Sequence, residues 1–219
     1  MKINERLKRV ASYIDDNSYI IDVGCDHALL DIYLVKTKKN IKTIASDISD
    51  GPLEYAYKNI KKENLLNKIK ITKRNGIDTL EKEVDTIIIS GMGTSNVLDI
   101  IFRNKDNLKN IKKIIISSNN DWYNLRKTFT ENNYYIKEED IILENNKFYP
   151  IIIFEKGTKK YKKYELKYGP ILLKSNNEIF KKYIEKEITK LSNIRNNLTS
   201  KYLIKKIKLE KEIRFLKRI

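Results

Sequence analysis

The sequence predicts an α/β protein in which a doubly wound, mostly parallel sheet is followed by a helical hairpin. Two observations carry this prediction. Short runs rich in Ile and Val alternate with helix-like segments at intervals of about 25 residues, which is typical of parallel sheets with helices on both faces. From residue 171 onward there are no strand-like runs, and apolar residues recur at helical spacing.

These runs place seven strands. Five of them, each followed by a helix-like stretch, are Tyr19–Val23, Lys42–Ala45, Ile69–Thr72, Thr86–Ile89 and Lys113–Ile116. Two more, Tyr134–Leu143 and Phe148–Glu155, are separated only by a hairpin-type turn, Glu-Asn-Asn-Lys. A parallel sheet that ends in an antiparallel hairpin matches the seven-stranded, Rossmann-like sheet of class I methyltransferases better than the dinucleotide-binding domain of a dehydrogenase.

Composition excludes several classes of protein. The 219 residues have a net charge of +16 and no long apolar stretch, which excludes an integral membrane protein. Cys25 and His27 are the only cysteine and histidine, so an intramolecular disulfide framework and a Cys or His metal cluster are excluded as well. The first segment has the spacing of an amphipathic helix rather than a signal peptide, which predicts a reduced, cytoplasmic protein.

The positive charge is concentrated towards the C-terminus. Residues 1–157 carry 26 basic and 23 acidic side chains, whereas residues 158–219 carry 19 basic and 6 acidic ones. We therefore expect two domains with these boundaries, joined by a linker at Gly157–Gly169, with Pro170 in the first turn of a helix. The second domain is expected to be two helices joined around Asn196–Ser200. Its lysines are either an ordinary solvated face or, as the excess of bases favours, a nucleic-acid contact. Candidates for that contact are Lys205 and Lys206.

The first predicted strand runs into a glycine-containing turn. Asp22 lies in the strand, and Gly24, Asp26 and His27 follow before a predicted helix, an arrangement that presents backbone N–H groups to a nucleotide-like cofactor. Asp26 and Leu29 occupy the later glycine positions of G-x-G-x-x-G, and a pyrophosphate would meet the Asp26 carboxylate. The turn therefore favours S-adenosylmethionine, which has no phosphate, over NAD. An ordinary strand-to-helix turn is the alternative.

Two more strand ends carry candidate cofactor contacts. Asp47 lies about 20 positions beyond the first turn, where an acidic residue accepts hydrogen bonds from both ribose hydroxyls, and Ile48 follows it. Asn75 and Gly76 follow the third strand, where an adenine ring would pack, and Ile77 is placed to cover that ring. Asn-Gly is also a common turn.

The fourth and fifth strands end in glycines and amides. Gly91, Met92 and Gly93 follow the fourth strand, and the glycines let a flat ligand approach the backbone closely. Enzymes that methylate exocyclic adenine amines usually have (Asn/Asp)-Pro-Pro-(Tyr/Phe) there, so its absence argues against reaction at N6. Asn119 and Trp122 follow the fifth strand, and Trp122 either stacks on a base or packs at the start of a helix.

Taken together, DVGCDHALL, SDGP, RNGIDTL, the GMG and the C-terminal hairpin resemble the bacterial tRNA (adenine22-N1)-methyltransferase family. The resemblance covers essentially the whole chain. It implies an S-adenosylmethionine-dependent methyltransferase domain over 1–157 and a coiled-coil, RNA-binding hairpin over 158–219. It also implies methylation of N1 of the adenosine at position 22 of tRNA.

Carried over by position, the family's catalytic aspartate falls on Asp26. Its cofactor-binding turn falls on Asp22 and Gly24, its second-strand acidic residue on Asp47, and its GMG on 91–93.

Three motifs depart from the family pattern, at five positions in all. The usual GMGG ends here in Thr94, Asp-Gly-Leu reads Asn-Gly-Ile at 75–77, and Gln-Pro-Asn reads Ser-Ser-Asn at 117–119. The amide of Asn119 is retained, while Ser118 replaces the proline that would fix its pose.

Several alternatives stay open at this point. Asp26 either stabilises the charge that develops on adenine or accepts a proton from its N6 amino group. His27 orients Asp26, contacts the RNA backbone or is an ordinary residue at a helix start, and Cys25 is expected to be a small packing residue. Besides the monomeric tRNA methyltransferase, the chain could be a non-catalytic RNA-binding adaptor or a methyltransferase acting on rRNA or protein.

Overall fold

The computed structural model describes residues 3–219, and a seven-stranded sheet forms its centre. The strands are β1 (Tyr19–Val23), β2 (Lys42–Asp47), β3 (Ile69–Lys73), β4 (Thr86–Ser90), β5 (Lys113–Ser117), β6 (Tyr134–Glu144) and β7 (Lys147–Lys156). Their spatial order is β3-β2-β1-β4-β5-β7-β6, and only β7 runs antiparallel to its neighbours, β5 and β6. The predicted fold class is confirmed.

Helices cover both faces of this sheet. Those of the described part are α1 (Glu5–Ser12), α2 (Leu29–Thr37), α3 (Asp50–Lys62), α4 (Thr94–Arg103), α5 (Trp122–Glu131), α6 (Lys163–Tyr168), α7 (Glu178–Asn197) and α8 (Leu203–Leu216). Successive side chains of a strand point to opposite faces, so Ile87 and Ile88 of β4 belong to two separate apolar cores. Burial on both faces explains why the parallel strands are continuous apolar runs.

The β6–β7 connection is a two-residue turn. Glu144 pairs with Lys147, and Asn145 and Asn146 between them have φ values of 49° and 60°. Asn tolerates this left-handed conformation better than most residues, and two such residues in succession match the twist of a hairpin. The β6–β7 hairpin reverses the chain at the edge of the sheet.

The segment after β7 differs from the predicted linker. Residues 163–168 form α6, Pro170 precedes a short 3₁₀ turn at Leu172–Lys174, and α7 begins only at Glu178. The prediction that Pro170 starts a helix is wrong, because Asn177 supplies the cap instead: its Oδ1 accepts hydrogen bonds from the first turn of α7. The two long helices at the C-terminus are present as predicted.

A buried ion pair fastens this segment to the sheet. Arg126 Nε lies 2.6 Å from Glu139 Oε1, and both side chains are almost completely buried. Arg126 also donates to the carbonyl oxygens of Leu166 and Lys167, while Glu139 Oε2 accepts from the backbone N–H of Ile171. Removing one partner of such a pair leaves an uncompensated buried charge. The base of the C-terminal region is therefore part of the same packed unit as the sheet.

An apolar cluster extends this contact. It joins Ile141 of β6 to Phe180 and Ile184 of α7 and to Ile213 and Leu216 of α8. The far end of the hairpin is different, because large apolar side chains are exposed there. These are Ile194, Tyr202, Leu203, Ile204 and Ile207. The hairpin thus has a buried base and an exposed tip.

Candidate active site

The turn between β1 and α2 has an unusual backbone. Gly24, Asp26 and Ala28 all have positive φ values, of 75°, 50° and 53°. The backbone N–H groups of Gly24 and Cys25 both donate to Ser46 O, at 2.8 and 3.0 Å, which ties the turn to the end of β2. Left-handed non-glycine residues cost of order 1–3 kcal/mol each and cluster at functional sites. The turn is a strained loop held at the carboxyl edge of the sheet.

Gly24 also lies against the end of the Met92 side chain. A Cβ atom at this position would collide with Cε of Met92, which follows β4. The turn after β1 and the glycine loop after β4 therefore touch each other. A flat ligand lying along this edge can reach the backbone of both loops.

Asp47 ends β2 beside this turn. Its Oδ1 accepts a hydrogen bond from Ser49 N at 2.9 Å, and within residues 3–219 its Oδ2 has no hydrogen-bond donor. Ile48 is 60% exposed next to it. A carboxylate with a free oxygen and an exposed apolar neighbour suits the ribose hydroxyls and the ring face of an adenosyl group.

The loop after β3 fits the expectation only in part. Asn75 is exposed at the edge, as a ligand contact requires. Gly76 is buried, and a Cβ there would come within 2.8 Å of Ile100, so packing against α4 already explains the glycine. Ile77 is completely buried in the core. The prediction that Ile77 covers the adenine ring is wrong, because no face of its side chain reaches the surface.

Asn119 and Trp122 lie beside the GMG loop. Asn119 Nδ2 donates to Gly91 O at 2.5 Å, and Asn119 N donates to Met92 O at 2.9 Å. Trp122 Nε1 donates to Ser118 O at 3.1 Å, which fixes the indole at the start of α5. The loops after β4 and β5 form one hydrogen-bonded unit.

Two of the departures from the family pattern meet inside this unit. The hydroxyls of Thr94 and Ser118 lie 3.0 Å apart and are buried, and Thr94 Oγ1 also donates to Asn120 O at 2.6 Å. Hydrogen bonds therefore hold the chain on both sides of Asn119 at the place where the family has a proline. In this chain the pose of the amide is fixed by these hydrogen bonds.

Asp26 presents its carboxylate to solvent. Its side chain is 70% exposed, and Nε2 of the neighbouring His27 lies 3.5 Å from Asp26 Oδ1. The His27 ring packs edge-on against Tyr55, and the His27 carbonyl accepts a hydrogen bond from Asn59 Nδ2. An exposed carboxylate on a rigid turn is available to a substrate.

Cys25 and Asp22, in contrast, are buried. Cys25 packs in an apolar cluster, and burial raises the pKa of its thiol, so a packing role is confirmed. Asp22 lies beneath the turn beside Asp31 of α2, a residue that sequence reasoning missed. Both carboxylate oxygens of Asp31 are closed to solvent, and the polar groups beside them are the Asp22 carboxyl and the Thr43 hydroxyl. Burial raises the pKa of Asp31, and burial together with Asp31 raises the pKa of Asp22 well above its usual value.

We expect Asp31→Asn to stabilise the protein at pH 8. An unfolded carboxyl titrates near 4, whereas the native pKa is raised, so the native state holds more protons and its stability falls as pH rises through this interval. The amide removes that penalty, so the free energy of unfolding should increase by about 1–3 kcal/mol at pH 8 and much less at pH 5. Thermal unfolding of the cofactor-free protein at both pH values measures this. Asp106→Asn, on a fully solvated surface, is the matched control.

Lys205 and Lys206 are not brought to this edge. Both lie on α8 near the exposed tip of the hairpin. In the part of the chain that the structure describes, no helix is long and apolar enough to cross a membrane, and no group of three or more His, Cys, Asp or Glu side chains is placed to hold a metal ion.

The strand order and the polar loops at the carboxyl edge define a class I S-adenosylmethionine-dependent methyltransferase. The family model for tRNA (adenine(22)-N(1))-methyltransferase matches residues 20–218, and the chain belongs to this family. The family, the activity and the cofactor that the sequence predicted are confirmed.

Individual relatives support the same family assignment. The chain is 30% identical over 195 residues to the tRNA (adenine(22)-N(1))-methyltransferase of Bacillus subtilis, an alignment that covers 86% of this chain and 82% of that protein. It is 30% identical to the M. capricolum TrmK structure in complex with S-adenosyl-homocysteine, with a TM-score of 0.84 over 100% of this chain and 97% of that one. A Streptococcus pneumoniae structure with S-adenosyl-L-methionine is 32% identical, with a TM-score of 0.87 over 97% and 99% of the two chains.

Proposed function

We propose that Asp26 is the catalytic residue for methylation of N1 of adenosine 22 in tRNA. The observation that carries this proposal is the exposed Asp26 carboxylate, held on the strained turn where the loops after β1 and β4 touch. Within this turn Asp26 is the exposed carboxylate, because Asp22 is buried beneath it.

The residues around the turn suit S-adenosylmethionine. Asp22 and Gly24 shape the turn, Asp47 is available to the ribose hydroxyls, and Asn75 and the GMG loop border the remaining edge. When bound, S-adenosylmethionine supplies a methyl group on a sulfonium. Acidic side chains near this cation are favourable, whereas they would repel a pyrophosphate.

Asp26 then acts on the adenine. N1 has a free lone pair at neutral pH, so no base is needed before attack, and much of the acceleration comes from alignment. The ring gains positive charge as the methyl group arrives. A fixed carboxylate beside N1 and N6 stabilises that charge, which makes electrostatic stabilisation the role that Asp26 fills. His27 steadies the carboxylate.

The hairpin holds the RNA in this proposal. Residues 1–157 form the methyltransferase domain, and residues 158–219, with 19 basic and 6 acidic side chains, form the RNA-binding domain. Lys205 and Lys206 contact the phosphate backbone from the tip. Because N1 is engaged in base pairing within an RNA helix, the target adenosine has to be unpaired or extruded first. We also infer a monomer in the cytoplasm, since one chain supplies every loop of the site and tRNA is found there.

The test is transfer of labelled methyl from S-adenosylmethionine to tRNA, rRNA and protein fractions, followed by mapping of the modified nucleotide. We expect label in tRNA alone, on N1 of A22, and none in a transcript with G22. Label at another position, or in rRNA or protein, would contradict the proposal. Absence of cofactor binding in calorimetry would point instead to a non-catalytic adaptor.

A further inference from the structure

A polar cavity of about 620 Å³ opens where α7 meets the carboxyl edge of the sheet. Gly91, Asn119 and Trp122, from the loops after β4 and β5, line one side of it. The other side comes from elements that sequence reasoning did not connect with the site: α1, β7 and α7. The volume is within the usual range for a small-molecule site. The larger cavity of about 720 Å³ lies at the opposite, amino edge of the strands and borders none of these loops.

Arg6 of α1 lines this cavity without an acidic partner. Its guanidinium lies over the ring of Tyr149 at 4.8 Å from the ring centre, and Nη2 is 3.5 Å from the position that a Cβ of Gly91 would take. Among residues 3–219 no carboxylate forms an ion pair with Arg6, and its buried Nε has no hydrogen-bond acceptor. Buried polar groups without partners are rare in native proteins and call for an explanation. Nε itself is closed to solvent, so an anion in the cavity would be held by the Nη atoms of the same guanidinium, which form no ion pair within residues 3–219.

Aromatic rings form much of the remaining wall, together with Lys147, Lys186 and Glu187, whose carboxylate lies 3.3 Å from the Lys190 ammonium. Trp122 lies 5.4 Å from Tyr183 of α7, and Phe148 of β7 lies 5.4 Å from the same Tyr183 ring. The Lys186 ammonium is 5.6 Å from the centre of the Phe148 ring. Aromatic faces next to cationic groups are what a nucleotide requires, because its base stacks and its phosphate is an anion.

We propose that this cavity receives the target nucleotide of the tRNA, with the extruded purine against Tyr149, Trp122 and Tyr183 and its adjoining phosphate on Arg6 and Lys186. This inference rests on the proposed function and deepens it. The base enters beside Gly91, at the edge that also carries Asp26. The cavity lies between the sheet and α7, and α7 is the first helix of the hairpin.

Trp122 makes the proposal directly measurable, because it is the only tryptophan in the chain. Titration with tRNA should change the fluorescence emission of Trp122. The midpoint of this change should equal the Kd for tRNA measured in a filter-binding assay. Arg6→Gln should raise the Kd for tRNA about tenfold at low salt, while the Kd for S-adenosyl-homocysteine stays within twofold. Arg6→Lys should raise the Kd for tRNA less than Arg6→Gln does, since lysine keeps the charge but not the planar, bidentate guanidinium.

Arg103→Gln is the matched control, because it removes the same charge from an exposed position on α4. It should leave both affinities unchanged. The proposal is overturned if tRNA binds without any change in Trp122 emission. It is also overturned if Arg6→Gln weakens cofactor binding instead of tRNA binding, since the guanidinium would then serve the cofactor. In either case methylation of A22 by the unchanged enzyme would leave the proposed function intact.

Discussion

Replacing Asp26 with Asn is expected to lower kcat for tRNA methylation by about 10²- to 10³-fold, the loss typical of a group that stabilises charge in the transition state. Asn keeps the size and the tolerance of a positive φ, so the turn and its contact with Met92 should survive. The side chain points into solvent, so the affinity for S-adenosyl-homocysteine should change only a few-fold. Single-turnover methylation and calorimetry measure the two quantities separately.

Asp50→Asn is a suitable control, since it removes an exposed carboxylate from the start of α3 on the same side of the sheet. Its rate should match that of the unchanged enzyme. A further variant, Asp26→Glu, tests the role itself: charge stabilisation predicts partial activity with an unchanged pH profile, whereas proton acceptance predicts a displaced profile. Full activity of Asp26→Asn would remove Asp26 from the reaction.

The sheet was predictable from the sequence because parallel strands that are buried on both faces consist of continuous apolar runs, which are easy to locate. The runs Thr86–Ile89 and Lys113–Ile116 correspond to β4 and β5 almost residue for residue. The ends of the helices were harder to predict from the sequence. Asn177 caps α7 through its side chain, and the sequence offers two competing start signals, Pro170 and the N-cap residue Asn177 followed by Glu178.

The site was predictable where its residues follow strands. Asp26, Asp47 and Asn119 were expected at one edge because the carboxyl ends of parallel strands meet there. The remaining cavity wall was not predictable, since Arg6, Tyr149 and Tyr183 come from distant parts of the chain and meet only through packing. Asp31 could have been suspected, because it interrupts the apolar run at the start of α2. Only the structure shows that its carboxylate faces inward beside Asp22.

The buried base of the hairpin affects how the RNA-binding role can be tested. Truncation at residue 170 would remove Ile171, whose N–H binds Glu139, and would expose Ile141 and the cluster around it. Loss of tRNA binding would then be inseparable from loss of the fold. Substitutions at the solvent-exposed tip avoid this problem because they leave the ion pair and the cluster in place.

A fourfold Lys-to-Gln variant at the tip is therefore expected to weaken tRNA binding on the order of 10- to 100-fold at moderate salt. The four positions are Lys201, Lys205, Lys206 and Lys208. None of them forms an ion pair with another residue of the described chain, so their charge is available to phosphates. Each lost phosphate contact should reduce the slope of log Kd against log salt by about 0.7–0.9. Because none of these lysines lines the cavity beside Gly91, kcat at saturating tRNA should stay within about twofold while KM rises.

The control removes the same total charge elsewhere. It replaces lysines that are exposed at or near the amino edge of the sheet, namely Lys39, Lys62, Lys68 and Lys112. If binding depends on where the charge lies, this variant should keep both the affinity and the salt slope of the unchanged enzyme. Equal losses in the two variants would mean that the net charge of +16, and not the hairpin, attracts the RNA. A flat salt dependence in the unchanged enzyme would exclude phosphate contacts by the tip altogether, and the exposed apolar side chains of Leu203 and Ile204 would then be the remaining feature of the tip able to bind a partner.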